Sequence, residues 1–327
     1  MKKKLIRIIL PILIMILGVG CAKPVETVEP IEPKILKVSV PDGIPALTMT
    51  KMIKENDLIA ENIVLEYTVE KTTDALAAKV LSKEADIAIV PSNLAAQTYN
   101  KELGYKIAAT GSWGSFYLIS EEAIRDPKAL IGKEITTIGK NLTPDIILRH
   151  ILKLKEIEAD QDVTINYLNG ATELAPNYLS GKIAIASVPE PMLTTILGKK
   201  PNTNIILDFN EEWKNAHDSL NGYPQSSLII KEDIILENKE FVEKFLVEYE
   251  KSINWANETP EELGVYAAEL ELAINPQVLP VALTRANMKY VPIEQSKDDY
   301  SEFFKVLFEI EPKTIGGKIP DEGLYFK

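Results

Sequence analysis

From residue 35 onward, short apolar runs alternate with segments whose apolar residues recur every three or four positions. Residues 35–40 (ILKVSV) are strand-like, and Asp42-Gly43-Ile44-Pro45 breaks the run. Leu47, Met49, Met52 and Ile53 follow at helical spacing. Residues 64–69 return to strand character, and residues 72–81 read as a helix capped by Thr72 or Thr73. Residues 86–90 (DIAIV) form a short buried strand stopped by Pro91-Ser92-Asn93. Strands and helices alternating through short loops predict an α/β fold of mainly parallel sheets flanked by helices.

The middle of the chain repeats this order. Residues 134–138 (EITTI) are a strand, Gly139-Lys140-Asn141-Leu142 a loop, and residues 143–154 a helix. Thr143-Pro144-Asp145 is a helix-start pattern: a cap, a proline at the first helical position and an acid in the first turn. Residues 163–168 and 182–186 are strands around a loop and helix at 169–179, and Ser187-Val188-Pro189-Glu190-Pro191 ends the unit. The halves also share residues. Thr73-Asp74-Ala75-Leu76 precedes Leu81-Ser82 and Ile87-Ala88-Ile89, while Thr172-Glu173-Leu174-Ala175 precedes Leu179-Ser180 and Ile183-Ala184-Ile185. The spacing drifts by a residue or two. It fits either two βαβ units with common buried-strand chemistry or two lobes of one architecture.

Two places serve as crossovers. Residues 106–110 and 116–120 are strands around the glycine-punctuated 111–115 (GSWGS), and residues 205–209 and 225–230 flank a long polar segment. This pattern assigns 35–111 and 227–327 to lobe 1 and 112–226 to lobe 2, with a hinge of two crossovers. The remainder is mainly helical: an amphipathic stretch at 240–256, a helix opened by a Thr259…Glu262 capping box, breaks at Pro276 and Pro280, and a last helix at 298–308.

Composition narrows the function classes. Residues 35–327 are long enough for two domains by the usual prior of about 150 residues each. A net charge of −12 argues against a nucleic-acid partner, which demands a basic face. The acidic balance is read as solubility.

The N-terminus sets the compartment. Lys2, Lys3, Lys4 and Arg7 precede an apolar run at 8–19, then Gly20 and Cys21. This is the form of an export signal over residues 1–20, and the run falls short of the roughly 20 residues of a membrane span. Cys21 is the only cysteine, so no internal disulfide forms. Its position resembles the lipobox of bacterial lipoproteins, although Gly18 stands where that family prefers leucine, with Leu17 one residue further out. The resemblance implies lipidation at Cys21 and anchoring to the cell membrane, where each buried acyl carbon contributes about 0.8 kcal/mol. Residues 21–34, with Pro24, Pro30 and Pro33, read as an extended tether.

Four local patterns, in order, carry a wider resemblance: residues 81–89 (LSKEADIAI), the Pro-Ser-Asn stop at 91–93, Val-Pro-Glu-Pro at 188–191, and Tyr223-Pro224-Gln225-Ser226 leading into the return strand. Over nearly all of residues 35–327 the chain resembles the type II periplasmic-binding-protein fold, in the family serving nitrate, sulfonate, taurine and thiamine-precursor importers. The resemblance implies a receptor for a small-molecule ligand, partnered with an ABC permease and ATPase. No cofactor is expected, and the protein is expected to act as a monomer.

In open α/β sheets ligands sit beyond the carboxyl ends of the strands, where helix N-termini present unpaired N–H groups. That rule nominates Asp42 and Gly43, Ser92 and Asn93, and Ser112 and Trp113 in lobe 1, and Asn141, Thr172 and Glu190 in lobe 2. Ser92, Asn93, Asn141 and Thr172 could hydrogen-bond a ligand or cap helices. Gly43, Gly111 and Gly139 could let backbone approach a ligand or permit tight turns. Trp113 is a stacking platform or a wedge at the hinge, and Tyr117 and Tyr223 are further aromatic candidates. Free carboxylates at Asp42 and Glu190 would suit a donor-rich or cationic ligand. A sulfonate or nitrate would turn them away and favour Lys140.

Catalytic patterns are scarce. His150 and His217 stand in unrelated sequence contexts without metal-ligand spacing, and no thiol remains beside Cys21. No phosphate-binding Gly-Lys-Ser/Thr loop or Gly-x-Ser-x-Gly elbow occurs. The expected reading is therefore a binding protein, with no catalytic residue and no metal. The alternatives are an enzyme on the same fold, of the menaquinone or thiamine-pyrimidine type, and a ligand-sensing lipoprotein.

Overall fold

The structure, a computed structural model, describes residues 33–55, 60, 62–168 and 171–327, without the side chains of residues 171 and 172. The expected signal, Cys21 and the tether through residue 32 lie outside the described residues, as do Asn169 and Gly170.

The strands are β1 (Lys34–Pro41), β2 (Ile63–Glu70), β3 (Ile87–Pro91), β4 (Tyr105–Trp113), β5 (Phe116–Ser120), β6 (Glu134–Ile138), β7 (Thr164–Leu168), β8 (Ile185–Pro189), β9 (Asn204–Asp208), β10 (Pro224–Lys231) and β11 (Met288–Pro292). They form two sheets, ordered β11-β4-β10-β3-β1-β2 and β7-β6-β8-β5-β9. The expected two-lobe α/β architecture is present, and each sheet is mixed. β1, β2 and β3 are parallel, as are β6, β7 and β8, whereas β10 and β5 run antiparallel to both of their neighbours. The reason is the route of the chain. β5 follows β4 out of the first sheet, and β10 follows β9 and a helix out of the second. Each arrives from the side facing the other lobe, so it runs against strands that point toward that side.

Several local expectations shift. The strand expected at 182–186 is β8, three residues later, because Lys182 and Ala184 are exposed while residues 185–188 are buried. The polar segment after β9 contains a helix, Phe209–His217, whose N-cap Asp208 accepts from the N–H groups of Asn210 and Glu211. The last helix, Ile293–Ile310, begins five residues before the expected start and follows the unanticipated edge strand β11. Thr259 does not make the expected capping box. Its hydroxyl donates back to the Trp255 carbonyl at 2.7 Å, closing the preceding helix instead. Thr72 caps its helix as expected, accepting from the Ala75 N–H.

Lobe 1 packs Leu47, Met49, Phe245, Tyr249 and Ile253 against one face of its sheet, and lobe 2 packs Leu174, Tyr178, Leu193 and Ile196 against one face of its own. A further buried cluster runs between the lobes and joins Tyr300, Phe303 and Phe304 to Ile147, Ile151 and Trp213. Among the described residues no helix is long and apolar enough to cross a membrane.

Candidate functional site

The strand-end loops of the two lobes face each other and touch. β3 ends in Pro91, and the helix Ser92–Asn100 begins at once. The hydroxyl of Ser92 hydrogen-bonds that of Ser227 on β10 at 2.8 Å, and Ser227 in turn reaches the Tyr300 hydroxyl at 2.7 Å. Thr110 completes the set at 2.9 Å from Tyr300. Every member is buried, so the network holds β3, β4, β10 and the helix Ile293–Ile310 in one register. Ser112 pairs with Ser226 by the same logic on the neighbouring positions of β4 and β10.

Asn93 is the residue that looks across. Its amide donates to the Thr314 carbonyl at 3.3 Å, and its oxygen accepts from the Thr143 hydroxyl of the second lobe at 3.2 Å. Thr143 is therefore not the expected helix cap. Leu142 holds that position, Thr143 and Pro144 enter the first turn, and the Thr143 side chain points at lobe 1. Asp145 secures the loop in its place. It is 1% exposed and accepts from the Asn141 backbone N–H, the Arg149 guanidinium and the Tyr167 hydroxyl, each at 2.8 Å. Asn141 adopts φ 58°, a left-handed conformation that asparagine tolerates better than most residues. The Lys140 ammonium lies 5.3 Å from the Tyr167 ring centroid.

Glu190 crosses between the lobes from the other side. Its side chain is 0% exposed and accepts from the Arg285 Nε at 2.7 Å, with the Thr194 hydroxyl and N–H as further donors. Arg285 also donates to the Thr194 hydroxyl at 2.6 Å, and its carbonyl accepts from the Tyr117 hydroxyl. A carboxylate so enclosed is satisfied by its own protein and is not free to meet a ligand. Asp42 is likewise engaged. It accepts from the Gly43 N–H at 2.8 Å, from the Ala273 N–H and from Lys71 at 3.0 Å, all within lobe 1. Gly43 has φ +105°, so its place in the loop requires a glycine.

The aromatic candidates lie at the crossovers. Trp113 is 1% exposed, and its indole N–H donates to the Lys289 carbonyl at 3.1 Å, which is the hinge-wedge arrangement. Tyr223 is buried in an aromatic cluster, stacked on Phe303 with an interplanar angle of 8° and edge-on to Trp213. Burial pushes the Tyr223 phenol well above its ordinary pKa, and its hydroxyl has no partner among the described residues. Gly111 gives close packing rather than ligand approach, since a Cβ there would stand 1.9 Å from the Tyr249 hydroxyl. Thr172 is the second residue of the helix Ala171–Leu179, and its side chain is outside the described set.

Sequence reasoning missed Arg285, Thr194 and the Tyr300 hydroxyl. Arg285 sits in a short stretch between Pro280 and β11 with no motif around it. The histidines stand in unrelated sequence contexts, as read, yet the fold brings their Nε2 atoms to 2.8 Å of each other, a contact for which the sequence holds no signal. Among the described residues no group of three or more His, Cys, Asp or Glu could hold a metal ion.

A protein-family model described as NMT1/THI5 like matches residues 59–263. A crystal structure described as an ABC transporter from Parabacteroides distasonis superposes with a TM-score of 0.77 at 26% identity, covering 90% of this chain and 99% of that one. The periplasmic aliphatic sulphonate binding protein SsuA from Escherichia coli has a TM-score of 0.74 at 10% identity, covering 90% and 92%. The periplasmic nitrate-binding protein NrtA from Synechocystis PCC 6803 has a TM-score of 0.60 at 13% identity, covering 87% and 84%. The last two likenesses speak for the fold alone. No curated protein is significantly similar to the chain in sequence.

Proposed function

The chain belongs to the NMT1/THI5-like family, and we propose that it is an extracytoplasmic solute-binding lipoprotein that captures a small molecule between its lobes and hands it to an ABC permease and ATPase. The observation that carries this reading is the meeting of strand-end loops from two lobes, with Asn93 against Thr143 and Arg285 against Glu190. Such loops gather at the carboxyl ends of β1, β3, β6 and β8, where α/β folds bind ligands. The sulphonate- and nitrate-binding proteins that share the fold, and the ABC transporter structure, are transport components, which supports a receptor over an enzyme.

The site also bears on the ligand's charge. Asp42 and Glu190 both have cationic partners of their own, Lys71 and Arg285. Neither offers a free negative charge, so the geometry supports a neutral or anionic solute, such as a sulfonate or nitrate, over a protonated ring. Asn93, Asn141 and Thr172, with backbone N–H groups of the loops, are the proposed donors, whereas the expected Ser92 hydroxyl is taken up by its buried network with Ser227. Closure follows because a ligand that contacts both lobes binds the closed arrangement more tightly.

Thermal unfolding against a panel of sulfonates, nitrate, taurine, pyrimidines, flavins and amino acids tests the reading. A true ligand at about 100 times its dissociation constant adds roughly 2.7 kcal/mol. A hit among the anions is expected. A hit with a cationic pyrimidine alone would overturn the charge assignment, and a flat response to the whole panel would count against a receptor for these solutes. Anchoring is tested separately. Cys21→Ser should move the protein from the membrane fraction to the soluble exported fraction, and an unchanged distribution would refute lipidation at this residue.

A further inference from the structure

His150 lies on the lobe 2 helix Thr143–Leu154, and His217 ends the lobe 2 helix Phe209–His217. Both helices pack against lobe 1 through the helix Ile293–Ile310, which carries Glu302. The Nε2 atoms of the two imidazoles are 2.8 Å apart, and the ring centroids are 5.1 Å apart with 25° between the planes. Those two distances put both nitrogens on the line joining the rings. The contact is head to head, a direct N–H···N hydrogen bond that accommodates one hydrogen. On its far side the His217 Nδ1 lies 3.3 Å from the Glu302 carboxylate, across the lobe junction, within ion-pair distance once the ring is protonated. The Trp213 indole lies against both rings, 4.2 Å from His217 and 5.1 Å from His150 between centroids.

We propose that His150, His217 and Glu302 form a proton-sensitive brace between the lobes, which holds while the two imidazoles share one Nε2 hydrogen and releases when both carry one. In the neutral pair His217 keeps its hydrogen on Nδ1, beside Glu302, and accepts at Nε2 from His150. One added proton is accommodated. His217 then carries hydrogens on both nitrogens, and His150 changes tautomer to accept at Nε2. The imidazolium is opposed by Glu302 and faced by the Trp213 ring, both of which favour a cation. A second proton has no such arrangement, because it sets two N–H groups against each other.

The surrounding charges support this order. From the helix Ile293–Ile310, Asp298, Asp299, Glu302 and Lys305 line a groove together with His217 and Asp218, so carboxylates prevail there. Glu302 is also bonded by Lys305, and Asp299 by Ser219 and Asn221. On the two helices of lobe 2, Lys153 stands near His150, Lys214 pairs with Glu211, and Lys155 pairs with Glu212. Burial, then His217 and Lys153, hold the His150 pKa down to about 4, against the smaller opposing pull of Glu302. The second proton therefore enters well below neutrality.

The brace rests on the structure alone and does not depend on which solute the protein binds. It is tested on the ligand-free full chain by small-angle scattering between pH 7.5 and 4, alongside NMR of the histidine ring nitrogens. The wild type is expected to keep its radius of gyration to about pH 5 and to expand below it as the second ring titrates near 4. His150→Gln still donates to His217 but cannot charge, and should lose most of the expansion. Glu302→Gln, on a partly exposed side chain, removes the pull that favours the second proton and should move the expansion down by roughly half a pH unit, the scale of an ion pair at such a carboxylate. Two independent imidazole titrations near the ordinary value, no expansion of the wild type, or the same pH profile in His150→Gln would each overturn the proposal.

Discussion

Replacing Arg285 with alanine should lower the folding free energy by about 3 kcal/mol, because it strands a carboxylate with no access to water. Glu190 has a side chain 0% exposed, and its remaining donors would be the Thr194 hydroxyl and N–H. The unpaired charge must then be protonated or draw in solvent, and either route is costly at neutral pH. The sign can be checked with a second change. Glu190→Gln in the Arg285→Ala background removes the stranded charge and should recover a large part of the loss. The pair also joins the turn after β8 to the segment before β11. Arg285→Ala should therefore weaken binding of any solute found by thermal shift, in addition to its effect on stability. Urea unfolding of the two variants reads the first effect, and titration calorimetry reads the second. A stability within about 0.5 kcal/mol of wild type for Arg285→Ala, the range of ordinary surface changes, would show that the pair holds nothing.

The second large effect is expected at the crossovers, where Gly114 and Gly222 meet around Asn210. Asn210 is fully buried, donates to the Asn221 carbonyl at 3.1 Å and accepts from the Tyr223 N–H. A Cβ on Gly222 would stand 1.8 Å from the Asn210 Oδ1, and the residue has φ +100°, so alanine there meets both a clash and a strained backbone. A Cβ on Gly114 would lie 2.2 Å from the Tyr223 ring and 2.6 Å from the Asn210 Oδ1. Overpacking alone costs about 1–3 kcal/mol. Gly222→Ala should exceed Gly114→Ala because only the former adds the penalty of positive φ. Thermal unfolding of the two variants ranks them. Equal losses would show that the backbone angle contributes little at Gly222.

Both predictions rest on contacts between residues far apart in sequence, and this separates what was legible in the chain from what was not. The strands that end in turn residues were readable: β3 stops at Pro91, and β6 runs into Gly139, as their buried, β-branched runs indicate. The Thr72 cap was readable for the same reason, since a cap bonds within its own turn. Thr143 shows the limit. Its pattern is that of a cap, yet its hydroxyl bonds Asn93, fifty residues away, because the helix start faces the other lobe. The histidines show it again, for 67 residues separate two rings in direct hydrogen-bond contact.

By itself, the amino-acid sequence determined the alternation of strands and helices, the two similar halves and the glycine-rich crossover, because each depends on periodicity and turn chemistry within a few residues. It also nominated the strand ends as the binding region, since that follows from the direction of the strands. Only the tertiary structure decided which polar groups are left for a solute. Glu190 is consumed by Arg285, Asp42 by Lys71, and Tyr223 by an aromatic cluster. Charge neutralisation and burial are properties of what packs against a side chain, and in this fold the packing partner comes from the other lobe or from a distant loop.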